Sequence, residues 1–212
     1  MRFSGFEIRQ ILIAVAAMTL AFALVFLGGV YGLSDIRFLG PVGLALVFGS
    51  SFVAVVTAFL LHELAHKAVA QRYGCFAEFR AYPMGLVLGI ITAAMGFLFA
   101  APGAVMVSGA VNGRQNARIS AAGPGTNLAL GAGFIGVAIL LGVSADPIAN
   151  AASYFVGNIA FVNLFLGGFN LVPFPPLDGS KILASDRVLW VALVVTLVAL
   201  GYGGWTAGVI RF

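Results

Sequence analysis

The chain has 212 residues and a formal net charge of +4; 61% of its residues are hydrophobic and only 8% are charged. Its mean hydropathy is +1.08. So few polar side chains cannot coat a water-soluble globule of this size, which excludes a soluble enzyme and requires lipid over much of the surface. The eleven Lys and Arg residues are scattered in short loops without a basic stripe, which argues against nucleic acid as a partner.

Apolar runs long enough to cross a bilayer recur along the chain. A helix of about 20 apolar residues spans the hydrocarbon core. Such runs predict helices at about 8–30, 42–71, 118–142, 152–172 and 187–210. The first run is longer than the core of a typical signal peptide, and no clean cleavage site precedes Tyr31, so we interpret it as a retained helix. We therefore predict a multi-pass α-helical protein of the cell membrane, with about five transmembrane helices in one domain over 1–212.

The region between the second and third predicted helices has a different pattern. Residues 75–82 alternate with a period of two, which predicts a short strand with an edge open to pairing. The segment 84–109 is rich in helix-weakening residues, namely Gly85, Gly89, Gly96, Pro102, Gly103 and Gly109. This composition favours irregular or extended backbone. If 84–101 re-enters the membrane without crossing it, the basic residues of the later loops fall on the same inner side as the N-terminus, as the positive-inside rule requires.

The two histidines of the chain lie in one pentad, His62-Glu63-Leu64-Ala65-His66, inside an apolar helix. Spacing of i and i+4 puts both imidazoles on one helix face, where they can bind one metal ion, and Glu63 can reach a water on that ion. This is the HExxH arrangement of zinc metallopeptidases. The alternative is that these residues cap a helix or bridge to neighbouring helices. Ionisable groups inside a membrane are costly, which favours the functional interpretation.

Catalytic zinc needs a third protein ligand, and the chain offers seven acidic residues. Glu63 is assigned as the base, Glu7 lies at the N-terminus, and Asp35 and Asp146 fall in predicted outer loops, away from a pentad near the inner end of its helix. Three remain: Glu78, Asp178 and Asp186. Asp178 is preferred because it follows the proline-rich stretch 173–176, which breaks the helix near membrane depth. One alternative is that Asp178 is a turn aspartate before Gly179. Another is that Cys75 is the ligand, although a cysteine more typically packs as a small apolar residue.

Two asparagines are candidate substrate contacts. Asn127 shares a helix face with Gly123 and Gly131, a stripe of small residues that lets another backbone approach closely. Its amide suits either a grip on substrate or a hydrogen bond between helices, and the sequence does not decide between them. Asn170 lies close to the segment that carries Asp178, and its role stays open.

Three motifs together carry a family resemblance. The pentad 62–66, the Gly-Pro-Gly-Thr-Asn motif at 123–127 and the Leu-Asp-Gly motif at 177–179 resemble, in the same order, those of the site-2 protease family of intramembrane zinc metalloproteases. The resemblance covers about 42–185, which we take as the core. It indicates a compact form without PDZ or CBS domains and with one helix after the Leu-Asp-Gly motif.

The resemblance implies hydrolysis of peptide bonds in or near transmembrane segments of membrane proteins, in regulated intramembrane proteolysis. It implies Zn²⁺ as cofactor, held by His62, His66 and Asp178, with Glu63 as the catalytic glutamate. Asn127 would contact substrate, and the strand and re-entrant segment would help to hold it. Two other classes compete: a membrane metal transporter or metal-binding protein without hydrolysis, and a catalytically silent scaffold.

Overall fold

The computed structural model describes residues 1–32, 34, 36–142 and 147–210. Its helices in chain order are α1 Gly5–Phe26, α2 Gly29–Gly32, α3 Ile36–Ala54, α4 Leu61–Arg72, α5 Pro83–Ala94, α6 Gly113–Gly142, α7 Pro147–Leu171, α8 Asp178–Ser185 and α9 Arg187–Thr206. A π-helical turn, Val55–Leu60, joins α3 to α4. Two strands, β1 Phe76–Ala81 and β2 Gly103–Ser108, flank α5. Asp35 and Asp146, which the sequence assigns to outer loops, lie outside the described residues.

Five helical stretches of the described chain are long and apolar enough to cross a membrane. They are Gly5–Phe26, Phe38–Arg72, Gly113–Gly142, Ala152–Leu171 and Arg187–Thr206. This confirms the predicted α-helical membrane fold, and the five stretches coincide with the five apolar runs. The strand predicted at 75–82 is also confirmed, one residue shorter at each end.

The chain forms two compact units. The first contains Met1–Val56 and Phe76–Ser108, and the second contains Thr57–Cys75 and Gly109–Phe212. In the second unit, α6, α7, α8 and the segment after α9 share an apolar core made of Leu128, Ile135, Ala160, Leu164, Leu171, Ile182 and Ile210, and partly buried side chains of α9 pack against it. Gly131 is part of this packing, because a Cβ there would lie 2.6 Å from a methyl carbon of Leu164. The small-residue stripe on α6 therefore does bring another helix close.

In the first unit, the segment between the strands leaves and returns to the same place. β1 and β2 are antiparallel, and Ala81 pairs with Gly103. The 12 residues of α5 span about 18 Å, too short for a hydrocarbon core of about 30 Å. The segment therefore re-enters, as predicted.

The prediction of irregular backbone is wrong for the first part of this segment, because α5 is regular helix. Its glycines provide close contact with the returning chain. A Cβ at Gly85 would lie 2.0 Å from the Ala101 carbonyl oxygen, and one at Gly89 would lie 2.8 Å from Ala100 Cβ. Glycine lowers helix propensity by about 1 kcal/mol, and tertiary packing offsets this here.

The edge of β1 that faces away from β2 is engaged by α1. The Phe79 N–H donates to Glu7 Oε1 at 2.9 Å, and the Ala81 N–H donates to Gln10 Oε1 at 3.3 Å. The Arg80 guanidinium lies 4.5 Å from the centre of the Phe6 ring. The strand edge expected to be open is thus occupied at two N–H groups by side chains of α1.

Replacing Glu7 with alanine tests this attachment. Glu7 is fully buried, so its loss leaves the Phe79 N–H without this acceptor and costs about 1–3 kcal/mol. We expect faster amide hydrogen exchange over β1, measured by mass spectrometry. Glu7→Gln keeps a carbonyl oxygen and should stay near wild type. Equal exchange in the alanine variant and wild type would contradict the attachment.

Candidate metal centre

Three buried side chains of the second unit converge. His62 and His66 lie on α4, and Asp178 is the first residue of α8. Asp178 Oδ2 is 3.4 Å from His62 Nε2 and 3.1 Å from His66 Nε2. One ligand atom from each residue lies within 4.8 Å of the other two, so the three side chains could hold one metal ion.

The donor set and its spacing fit zinc. Two ligand atoms that each lie about 2.0–2.1 Å from a tetrahedral zinc ion are about 3.3 Å apart. The distances from the carboxylate oxygen to the two Nε2 atoms are 3.4 and 3.1 Å. Two imidazoles and one carboxylate leave the fourth position for water, the arrangement of catalytic zinc sites.

The other ring nitrogens face hydrogen-bond acceptors on α6. His66 Nδ1 lies 2.7 Å from the Ile119 carbonyl oxygen, and His62 Nδ1 lies 3.1 Å from Asn127 Oδ1. A carbonyl oxygen only accepts, so His66 carries its proton on Nδ1 and keeps a lone pair on Nε2. Hydrogen bonds of this kind orient the histidine ligands of metal sites.

Gly123 makes room for the two imidazoles. A Cβ at this position would lie 2.3 Å from His66 Nε2 and 2.5 Å from His62 Nε2. Any side chain would occupy the space into which the two ligand atoms point. A bound ion requires open space directly against both Nε2 atoms, and only glycine at this position leaves that space open. We call this space the cradle.

Asp178 is held by its own segment. A Cβ at Gly179 would lie 2.1 Å from the Leu171 carbonyl oxygen, so the start of α8 packs directly on the end of α7. Asp178 Oδ1 is 3.5 Å from Lys181 Nζ, which leaves Oδ2 to face the imidazoles.

The remaining predicted site residues differ in position. Glu63 is half-buried. Asn127 is fully buried and bonded to His62. Asn170 is half-buried, and its Nδ2 donates to the Leu166 carbonyl of its own helix. Contact of either asparagine with substrate stays a prediction.

The competing ligands lie elsewhere. Glu78 interacts with Ser4 and Arg80 in the first unit. Asp186 caps α9 by accepting from the Leu189 N–H at 3.0 Å. Cys75 is buried. None of these three belongs to the metal-binding group found among the described residues.

Sequence reasoning missed two features of the site. The contact between Lys181 and Asp178 has a local signal, because i and i+3 are neighbours on a helix. The carbonyl of Ile119 that accepts from His66 has none, because a backbone acceptor carries no residue preference.

Replacing Gly123 with alanine tests the cradle. We expect zinc affinity to fall on the order of 100-fold, because the new methyl group displaces both imidazoles. Gly125→Ala is the matched control, since nothing lies within 4 Å of a Cβ at that position. Zinc binding is measured by competition with a chelator. Equal affinity in the two variants would rule out the cradle.

Known proteins similar to this chain are zinc metalloproteases by name. The MJ0611 protein of Methanocaldococcus jannaschii, named provisionally as one, is 40% identical over 160 residues, 74% of this chain and 80% of that protein. Rip3 of Mycobacterium tuberculosis, also named provisionally, is 35% identical over 176 residues, 74% of this chain but 39% of Rip3. The zinc metalloprotease MJ0392 of M. jannaschii is 32% identical over 150 residues, 68% of this chain and 38% of that protein.

No protein-family model and no solved structure matches the chain. The relatives' names agree with the donor set of the buried cluster and identify Zn²⁺ as the cofactor. The chain belongs to the site-2 protease family of zinc metalloproteases.

Proposed function

We propose that this zinc metalloprotease cleaves peptide bonds in or near transmembrane segments of membrane proteins. The observation that carries the proposal is the position of the metal-binding pair within an apolar helix. His62 and His66 lie in Phe38–Arg72, a 35-residue stretch long enough to cross a bilayer. His62 is ten residues from Arg72, about 15 Å along the helix axis. Catalysis at that depth suits a substrate that is itself in the membrane.

In this proposal His62, His66 and Asp178 hold the zinc ion. When bound, zinc supplies a Lewis acid that makes water a nucleophile near neutral pH and polarises the scissile carbonyl. The two imidazoles are neutral ligands and the Asp178 carboxylate carries one negative charge. Zinc together with these three ligands would therefore keep a net positive charge, which would stabilise negative charge on the carbonyl oxygen of the substrate.

Glu63 serves as the general base. It follows His62 directly, so its side chain is rotated by about 100° around the helix from that ligand. Its carboxylate takes a proton as the water oxygen attacks the peptide carbonyl, and it delivers that proton to the amide nitrogen as the C–N bond breaks. The half-buried position of Glu63, next to His62 in the chain, supports this role.

Substrate contact is better supported at Asn170 than at Asn127. Asn170 is half-buried, and in the described part of the chain its Oδ1 has no hydrogen-bond partner, so this oxygen can accept from a substrate N–H. Asn127 is fully buried, and its amide is bonded to His62 and to the Ala58 and Asn163 carbonyls. A helical substrate must unwind locally, because its N–H and carbonyl groups are otherwise bonded within the helix.

The deciding experiment compares wild type with Glu63→Gln in liposomes on a panel of single-span substrates. We expect cleavage to fall by about 10²–10⁴-fold with bound zinc retained, because the glutamine cannot accept the proton. His62→Ala is the companion variant and should lose zinc and cleavage together. Cleavage is followed by mass spectrometry of the products, which also locates the cut relative to the membrane.

Two results would refute the proposal. Cuts confined to sites far outside the membrane would show that this zinc metalloprotease acts on another class of substrate. Absence of wild-type cleavage, with metal flux that survives Glu63→Gln, would indicate a metal transporter.

A further inference from the structure

The side chain of Asn127 has one possible orientation. It is fully buried on α6, and its Nδ2 donates to the Ala58 carbonyl at 3.0 Å and to the Asn163 carbonyl at 3.3 Å. The NH₂ group of an amide only donates and its oxygen only accepts. Because both neighbouring groups are carbonyls, Nδ2 must face them and Oδ1 must face His62.

This orientation determines which nitrogen of His62 carries the proton. Asn127 Oδ1 lies 3.1 Å from His62 Nδ1 and cannot donate, so Nδ1 is the donor. The lone pair is then on Nε2, the atom 3.4 Å from Asp178 Oδ2. We propose that Asn127 is a positioning residue that sets the tautomer and ring orientation in which His62 binds the metal. The inference rests on the metal ligands of the proposed function and goes beyond them.

The amide is itself anchored close to the ligand. Ala58 belongs to the π-helical turn Val55–Leu60, just before the pentad, and π-turns are frequent at functional sites. Asn163 adds a second anchor, because its Nδ2 donates to Thr57 Oγ1 at 3.1 Å and to the Ile159 carbonyl at 2.9 Å. Asn127 therefore connects α7 and the π-turn to His62, and its complete burial leaves no exposed surface for contact with substrate.

His66 provides an internal reference. Its Nδ1 donates to the backbone carbonyl of Ile119, which no side-chain substitution removes. Loss of the Asn127 amide should therefore disturb one imidazole and spare the other. A general loss of packing would disturb both.

The experiment uses the full chain in detergent, labelled with ¹⁵N-histidine and loaded with cadmium-113. The chain has two histidines, so each ring is resolved, and His62→Gln identifies the signals. Scalar coupling between cadmium and nitrogen reports which ring nitrogen binds the metal. The test variant is Asn127→Leu, which keeps the volume and removes the acceptor. The control is Thr126→Val, because among the described residues the Thr126 hydroxyl bonds only to the Ala122 carbonyl of its own helix.

In wild type and the control we expect coupling to Nε2 of both rings and a proton on both Nδ1 atoms. In Asn127→Leu we expect loss of the His62 coupling, retained coupling at His66, and zinc affinity lower by about 10–100-fold. Unchanged His62 coupling and affinity would overturn the proposal. Equal loss at both rings would also overturn it, because it would show a packing role alone.

Asn127→Asp keeps an acceptor for the Nδ1 proton while removing both donors, so it tests the proposal even if the leucine variant does not fold. Carboxylates commonly fill this position behind zinc-bound histidines. We expect wild-type coupling at His62, and its loss would count against the acceptor role. If wild type binds cadmium through both Nε2 atoms but cleaves no substrate, the proposed function fails and the inference on Asn127 stands. If wild type cleaves substrate but Asn127→Leu leaves the His62 coupling unchanged, this inference fails and the proposed function stands.

Discussion

The close approach of α6 to α4 at Gly123 is the contact on which the metal centre depends. No side chain separates the two helices at that point, and a Cβ would lie 2.3–2.6 Å from imidazole atoms. Ile119, Gly123 and Asn127 lie at i, i+4 and i+8, on one face of α6. This face supplies an acceptor for each Nδ1 at its two ends and an open space for the Nε2 atoms between them. The repeat of four residues on α6 thus matches the spacing of His62 and His66 on α4.

A buried polar centre in an apolar protein is stable only if its groups are paired. His62, His66, Asp178 and Asn127 are each less than 9% exposed, and each has a partner within the second unit. Leaving any of these groups unpaired would cost about 1–3 kcal/mol or more. The three side chains that could bind zinc and their hydrogen-bond partners therefore form one network, and a change in one member acts on the others.

Sequence reasoning succeeded where the signal is local. Long apolar runs gave the five spans, a period of two gave β1, and i, i+4 spacing put His62 and His66 on one face. It failed for α5, because glycine density reports helix propensity but not the contact with Ala100 and Ala101 that offsets it. For Asn127 the sequence left two roles open. The tautomer of His62 could not be predicted, because it depends on the backbone carbonyls of Ala58 and Asn163, which orient the Asn127 amide and come from separate segments.

The division of the chain into two units has a consequence for how activity can be altered. The three residues that could bind the metal, the cradle at Gly123 and the acceptors for Nδ1 all belong to Thr57–Cys75 and Gly109–Phe212. The re-entrant segment and the hydrogen bonds of Glu7 and Gln10 to β1 belong to the other unit. In the part of the chain that the structure describes, the partners of the two Nδ1 atoms are Asn127 and Ile119, both on α6. Substitutions in β1 or α5 therefore leave these donors and acceptors in place.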